Sequence, residues 1–329
     1  MSWDGFLPRL QVARGTVAAA RDFARVWPTV ATWAALAGIE APLDGDLVDV
    51  TAIDASSNSG RVRYTSTGSR WELLSATFGT CTAMAAFAQP IRSGAVCTSA
   101  GRSFVRHTFA SDRVAGGVAR DEWLPPYIAT RNPFLRHWAV GTEASQAVLE
   151  DDQGNTVYTS GAATKTLTIG SGFVRLQRSG ASGSIGLQPT GVTATASLAY
   201  YTRMVTRADV PAGYAALVFL ADGARILLVG QVAGGQLTHM TAAAVSASSQ
   251  ADDTRTALAT TSGAAEFVET VDSGRSRNSE VWRGGRLYSA YSRNIQASAS
   301  TFITGPLVNS SSGTVTMDVA HFVGVTFTP

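Results

Sequence analysis

Between residues 275 and 293 the chain gathers Arg275, Arg277, Asn278, Trp282, Arg283, Arg286, Tyr288, Tyr291 and Arg293, five arginines against the single acid Glu280. Flat aromatic rings stack on the apolar faces of sugar rings. Planar guanidinium forks grip the carboxylates of acidic sugars. The same residues also fit a core Trp282 surrounded by a solvated arginine face, and the sequence leaves both readings open. Asn278 to Tyr291 reads as a hairpin, two alternating strands joined by Gly284-Gly285. Strand alternation puts Asn278, Glu280 and Trp282 on one face and Val281 and Arg283 on the other. Trp282 and Arg283 therefore cannot line the same face, and loops beyond the hairpin must complete any site.

Catalytic chemistry finds less support. Polysaccharide hydrolases built on β-sandwiches need two carboxylates on one face, at a separation that sets inversion or retention. The nearest group here is Glu266, Glu269 and Asp272. The spacing of three sends Glu266 and Glu269 to opposite faces of a strand, and Glu269 and Asp272 likewise. No His-Glu-x-x-His, Cys-x-x-Cys or Gly-x-Ser-x-Gly pattern occurs. His107, His137, His239 and His321 each stand alone among strand residues and read as structural. Asp151-Asp152-Gln153-Gly154-Asn155 has oxygen ligands, but not the regular spacing of a calcium loop, and reads as a solvated turn, like Asp252-Asp253. Cys81 and Cys97 read as free thiols packed as small apolar groups. Neither a catalytic residue, a metal nor a cofactor is expected.

These residues need a scaffold, and composition bounds it. The chain has 329 residues, 45% of them hydrophobic and 15% charged, enough to bury a core. Residues 1–129 carry 12 basic and 11 acidic side chains, and residues 130–329 carry 14 and 13. Neither half has the basic excess of a nucleic-acid binder. No apolar run reaches spanning length, so no membrane insertion is expected. The start, Met1-Ser2-Trp3-Asp4-Gly5-Phe6, lacks the layout of a signal peptide, so synthesis in a cytoplasm without ordinary secretion is expected.

Three regions follow along the chain. Residues 1–40 read as a helical anchor segment. Val17, Phe23, Trp27, Val30 and Trp33 recur at near-helical spacing, with Pro28 ending one helix and opening another. This stripe either packs on the chain's own β-module or docks on another protein or copy. Residues 41–128 read as a small β-rich module, closed by a boundary at Asp121-Glu122-Trp123-Leu124-Pro125-Pro126. Residues 129–329 show strand after strand separated by Gly, Ser, Asn and Asp clusters, the spacing of two packed antiparallel sheets.

Two resemblances attach to these patterns. Gly45-Asp46-Leu47-Val48-Asp49-Val50, then Val62-Arg63-Tyr64, then Gly68-Ser69-Arg70-Trp71 is similar to short modules of tailed-phage fibres and appendages. Physically, Tyr64 and Trp71 should pair across neighbouring strands over a tight turn. The second rests on the Tyr- and Arg-bearing strand from Leu198, the late Trp282-Arg283-Gly284-Gly285 hairpin and a closing pair, Val315–Val319 and His321–Phe327, the first with one acid, Asp318, expected to be buried. It resembles concanavalin-A-like jelly rolls, a family of lectins, laminin-G-like domains and some glycoside hydrolases. The fold class expected is mainly β, an N-terminal helical segment and small β-module followed by a concanavalin-A-like antiparallel β-sandwich.

Together they imply a virion appendage of a tailed bacteriophage or gene transfer agent, a capsid spike or a tail fibre. Other virion proteins would hold its N-terminal part. Host-surface polysaccharide would be the ligand of its sandwich, and several copies would act together as a homo-oligomer. A polysaccharide-degrading glycoside hydrolase on the same sandwich and a non-binding capsid decoration protein are the alternatives.

Overall fold

The computed structural model describes residues 25–114, 117–135, 155–170, 173–189, 199–209, 214–222, 225–232, 236–242, 256–260, 266–273, 276–294, 302–310 and 312–328. Val17, Phe23, His137, Asp151, Asp152, Asp252, Asp253 and Arg275 lie outside the described residues. For Arg277, Asn278, Tyr288, Tyr291, Arg293, Glu266, Asp272 and His239 the backbone alone is described. The chain divides into two compact units, Met1–Gly79 with Phe87–Thr98, and Thr80–Ala86 with Ser99–Pro329.

The first unit carries β1 (Val26–Thr32), β2 (Leu47–Ala52), β3 (Ser59–Thr65), β4 (Arg70–Phe78) and β5 (Ile91–Ser99), neighbours in that order. The helix expected through Trp27, Val30 and Trp33 is not there. Val26–Thr32 is a strand, and Trp33–Gly38 is a 3-10 turn. Val26, Thr29, Val30 and Thr32 are β-branched and stiff, which favours extended backbone. Pro28 sits on an edge strand, where its missing donor costs nothing. β1 pairs in parallel with β2, Trp27 with Val48 and Val30 with Val50, and the register shifts between them. That irregularity brings two residues three apart to equivalent positions, so a strand imitates helical spacing.

Alternation then builds the core. Val48, Val50, Val62, Trp71, Leu73, Ala76 and Phe78 are buried. The parity of β4 changes after Leu73 because the register skips Leu74, Arg61 facing Ser75 and Val62 facing Leu73. Gly60 lies beside this bulge. A Cβ there would stand 2.9 Å from the Ser75 carbonyl oxygen and 3.0 Å from Leu73 Cδ1, which leaves room for hydrogen alone. Tyr64 and Trp71 are register partners, and their rings meet edge-on at 5.2 Å between centroids, as the sequence predicts. Asp46 is buried and collects the unit's entry segment. It accepts from Arg25 Nη2 at 2.6 Å, Trp27 Nε1 at 2.8 Å and the Leu43 amide at 2.8 Å.

In the second unit, β6 (Arg102–Phe109) and β7 (Arg120–Leu124) form an antiparallel pair. The stretch from Asp121 to Pro126, read as a boundary, runs through β7 into a short helix, Pro126–Ala129. β8 (Phe134–Leu135) follows. Then come β9 (Asn155–Gly161), β10 (Thr164–Gly170), β11 (Phe173–Ser179), β12 (Gly183–Pro189), β13 (Ala199–Asp209), β14 (Tyr214–Asp222) and β15 (Arg225–Val232). After them lie β16 (Gln236–Ala242), β17 (Thr256–Thr260), β18 (Glu266–Ser273), β19 (Ser276–Arg283), β20 (Arg286–Asn294), β21 (Phe302–Ser310) and β22 (Thr314–Phe327). Two antiparallel sheets result, β10-β11-β22-β13-β18-β19-β20 and β17-β16-β15-β14-β21-β12-β9. This is a mainly β fold whose large antiparallel sheets fit the expected jelly-roll sandwich.

The closing pair of strands is one strand, β22, with a bulge. Val205 pairs with His321 and Thr206 with Val319, so Ala320 is extra. The first sheet is covered on both sides at its centre. Every residue from Ala199 to Thr206 is buried, although the run includes Thr202, Arg203 and Thr206. One side joins Tyr201, Val271, Val323 and Val325 to Phe109, Leu124, Ile128 and Leu135 in a single apolar cluster. Arg178, fully buried on β11, donates to the carbonyls of Gly180, Ala181, Ser312 and Gly313 and ties two turns together.

Candidate functional site

The centre of the first sheet holds two buried ionic groups, both in the second unit. In one, Arg203 Nη2 donates to Glu122 Oε2 at 2.7 Å, and Nη1 donates to the Trp123 carbonyl. Nη2 also lies 2.6 Å from His321 Nε2. A guanidinium has no acceptor, so Nε2 accepts and His321 is neutral with its proton on Nδ1. Burial, reinforced by the Arg203 charge, lowers the His321 pKa. Burial alone would raise Glu122. Against it, His321, once charged in the acid range where Glu122 titrates, and the Arg203 and Arg106 guanidiniums hold the carboxyl at about 2.

In the other group, Glu269 accepts from Arg102 Nη1 at 2.5 Å and from the Tyr201 hydroxyl at 2.6 Å. Burial pushes the Glu269 pKa up against the pull of Arg102. Burial and the Glu269 charge push Tyr201 well above its ordinary value, so its hydroxyl keeps its proton and donates. Strand register explains the assembly. Arg203 faces Glu269 across β13 and β18, and Glu269 faces Trp282 across β18 and β19. These residues share one face of the sheet.

Trp282 stands at the margin of that face. The Arg102 guanidinium lies 4.1 Å from its ring centre, a cation–π contact, and Trp282 Nε1 donates to Glu280 Oε2 at 3.0 Å. Val281 is buried on the opposite side, so the alternation read from the hairpin holds at Glu280, Val281 and Trp282. The turn Gly284-Gly285 is formed, both glycines at positive φ, and a Cβ on Gly285 would stand 2.9 Å from Ala100 Cβ and 3.1 Å from Cys81 Sγ. Across the hairpin the backbone pairs Arg283 with Arg286, Ser279 with Tyr291, Asn278 with Ser292 and Arg277 with Arg293. β20 is the last strand of its sheet, so Arg286, Tyr291, Ser292 and Arg293 lie at an edge, while β19 is paired on both sides. Arg286 is exposed and Arg283 partly so.

Three buried carboxylates, Glu269, Glu122 and Asp318, are engaged within the protein. Both oxygens of Glu269 are used, Glu122 is taken by Arg203, and Asp318, buried as expected, accepts a two-pronged bond from Arg175 at 2.7 and 2.9 Å. Among the described residues, no group of three or more His, Cys, Asp or Glu side chains could hold a metal ion. Among them, too, no helix is long and apolar enough to cross a membrane. Cys81 and Cys97 are buried thiols not joined in a disulfide, and burial pushes the Cys81 thiol up to about 11, leaving it unreactive. Arg102, Glu122, Tyr127 and Arg203 were not singled out from sequence. The one available signal was Arg203, a charge flanked by Tyr200, Tyr201, Met204 and Val205.

No protein-family model matches this sequence, and no curated protein matches it. Among solved structures, the Emp46p carbohydrate recognition domain superposes with TM-score 0.39 at 8% identity, over 57% of this chain and 95% of that one. A carbohydrate esterase from Shiga toxin-encoding bacteriophage phi24B gives TM-score 0.42 at 11% identity, over 60% of this chain and 100% of that one. A sialidase gives 0.39 at 10% identity, over 56% of this chain and 18% of that one.

Proposed function

We propose that this chain is a surface appendage of a tailed phage or gene transfer agent, and that its C-terminal sandwich holds host-surface polysaccharide without cleaving it. The observation that carries the reading is the register of the β19–β20 hairpin. Arg283 opposes Arg286 and Arg277 opposes Arg293, the second residue of each pair on the edge strand of the sheet. Like charges placed directly across two strands work against the fold. A hairpin that does this with Arg283 and the exposed Arg286, and whose acid Glu280 is engaged by Trp282, is suited to an anionic partner such as a uronic-acid polymer. The internal engagement of Glu269, Glu122 and Asp318 supports binding in preference to hydrolysis. On this reading the N-terminal part attaches to other virion proteins, and several copies turn weak single-site affinity into firm attachment.

The test is incubation of the full chain with purified acidic surface polysaccharide from candidate hosts. Binding that weakens with added salt, with polymer length unchanged on a sizing column, is the expected result. Shortened polymer would favour a hydrolase, and silence a decoration protein. Immunogold labelling of intact particles with antibody to this chain tests the virion location.

A further inference from the structure

We propose that the end of the first sheet where β10, β11 and β22 lie side by side is a second glycan site, a flat floor of hydroxyl, amide and guanidinium groups that takes an uncharged polysaccharide strand. The inference rests on the glycan-binding reading for its class of ligand. The place and the preference for a neutral polymer are additional.

Register and burial fix which face is meant. Val174 and Leu176 on β11 and Val315, Met317 and Val319 on β22 are fully buried, so one side of these strands is packed. Alternation turns Phe173, Arg175 and Gln177 to the other side, where each is partly exposed. Rows of side chains cross the strands there. Thr168 on β10 faces Arg175, which faces Asp318 on β22, and Thr166 faces Gln177, which faces Thr316. Thr166 and Thr168 are exposed. Successive rows stand about 6.7 Å apart along a strand, and neighbouring strands about 4.8 Å apart.

The groups in these rows hold one another. Arg175 donates through Nε and Nη2 to the two oxygens of Asp318, at 2.7 and 2.9 Å, and Asp318 is only 6% exposed. The Arg175 side chain is 40% exposed, and among the described residues its Nη1 has no partner. Its guanidinium lies 5.4 Å from the ring centre of Phe173. Phe173 faces Gly170, which has no side chain to lay over the ring. Gln177 Nε2 donates to Thr316 Oγ1 at 3.2 Å, which leaves the amide oxygen and one N–H for a ligand. Threonine is itself stiff at χ1. Groups fixed in this way lose little freedom on binding.

Charge and composition choose the ligand. Arg175 and Asp318 cancel. On the next strand, β13, Arg207 stands opposite Asp318 and Asp209 opposite Thr316, again one charge of each sign. Lys165 alternates to the other side, opposite the buried Arg178. A face without net charge exerts no pull on a uronic polymer, while its hydroxyls, amide and guanidinium N–H groups match sugar hydroxyls. Among the described residues of these rows Phe173 is the one large apolar side chain, too little for the core of a protein interface. Arg283 and Arg286, toward the other end of the same sheet, make the opposite choice of sugar.

The experiment titrates the full chain with an array of neutral bacterial surface oligosaccharides, with mannan and dextran, and with polygalacturonate. A neutral glycan should bind, with an affinity that added salt leaves unchanged. Thr166→Arg sets a bulky charge in the middle of the floor and should weaken that binding by about tenfold or more. Gln177→Ala should weaken it by about fivefold, the scale of a lost hydrogen bond. Thr166 is exposed, so an unchanged melting temperature identifies a binding defect. Neutral binding that ignores both variants, or that is lost with Arg286→Ala, overturns the site. If polygalacturonate binds and is weakened by Arg286→Ala while no neutral glycan binds, the general reading stands and the floor falls. No binding of either class removes both.

Discussion

The two units use the same ions differently. In the first, Arg61 and Asp49 meet at 2.7 Å with 45% and 43% of their side chains exposed. In the second, Arg203 and Glu122 meet at the same 2.7 Å with 0% and 4% exposed. Distance is equal, but solvent is not. The exposed pair is screened by water, and its loss leaves two hydrated charges. The buried pair has lost its hydration, so removing one partner strands the other. Asp46 stands between these extremes, enclosed but held by Arg25, which is half exposed.

Glu122→Gln should have the largest effect. It leaves Arg203 buried without its anion and should cost about 3–5 kcal/mol, read as a lower urea midpoint of the second unit. Acid should reproduce much of this. Glu122 sits at about 2 in the fold against an ordinary 4.5, so its contribution is whole above pH 4.5 and is lost as pH falls toward 2. That is roughly 3 kcal/mol over the full range. His321 adds to the trend, since its lowered value lets the unfolded chain take up the proton first as pH drops below 6.5. Glu269, raised by burial, works in the opposite sense. Denaturation midpoints between pH 7 and pH 3 should therefore fall in the parent and fall less in Glu122→Gln. A flat parent profile would contradict the buried assignment.

Asp46→Ala should come next. It removes charge-assisted bonds to Trp27 Nε1 and the Leu43 amide, and about 1.5–3 kcal/mol with them, measurable by thermal unfolding of the first unit. Asp49→Ala should be the smallest, under about 1 kcal/mol, and should vanish in high salt. Equal losses from Asp49→Ala and Glu122→Gln would erase the contrast.

Sequence disclosed what is local and periodic. The Tyr64–Trp71 pair, the Gly284-Gly285 turn and the shared side of Glu280 and Trp282 all follow from alternation and turn chemistry. It misled where a bulge altered the period. Trp27 and Val30 took on helical spacing through a register shift in β1, and β22 read as two strands because Ala320 is extra. The Arg203–Glu122 contact joins residues 81 positions apart, and the Arg102–Glu269 contact joins residues 167 apart. No local pattern announces either one. A central strand buried on both sides hides its periodicity as well, since both parities are covered.

The guanidinium of Arg178 touches its two turns through main-chain oxygens alone, at 2.9 Å to Ser312, 3.0 Å to Gly313 and 3.2 Å to Gly180, besides Ala181. A fastener of this kind does not read side-chain identity. Gly180 and Gly313 are constrained by positive φ, but Ala181 and Ser182 are exposed and answer to no such demand. Lineages could rewrite that tip, or engineers graft an epitope into it, while the knot beneath stays tied.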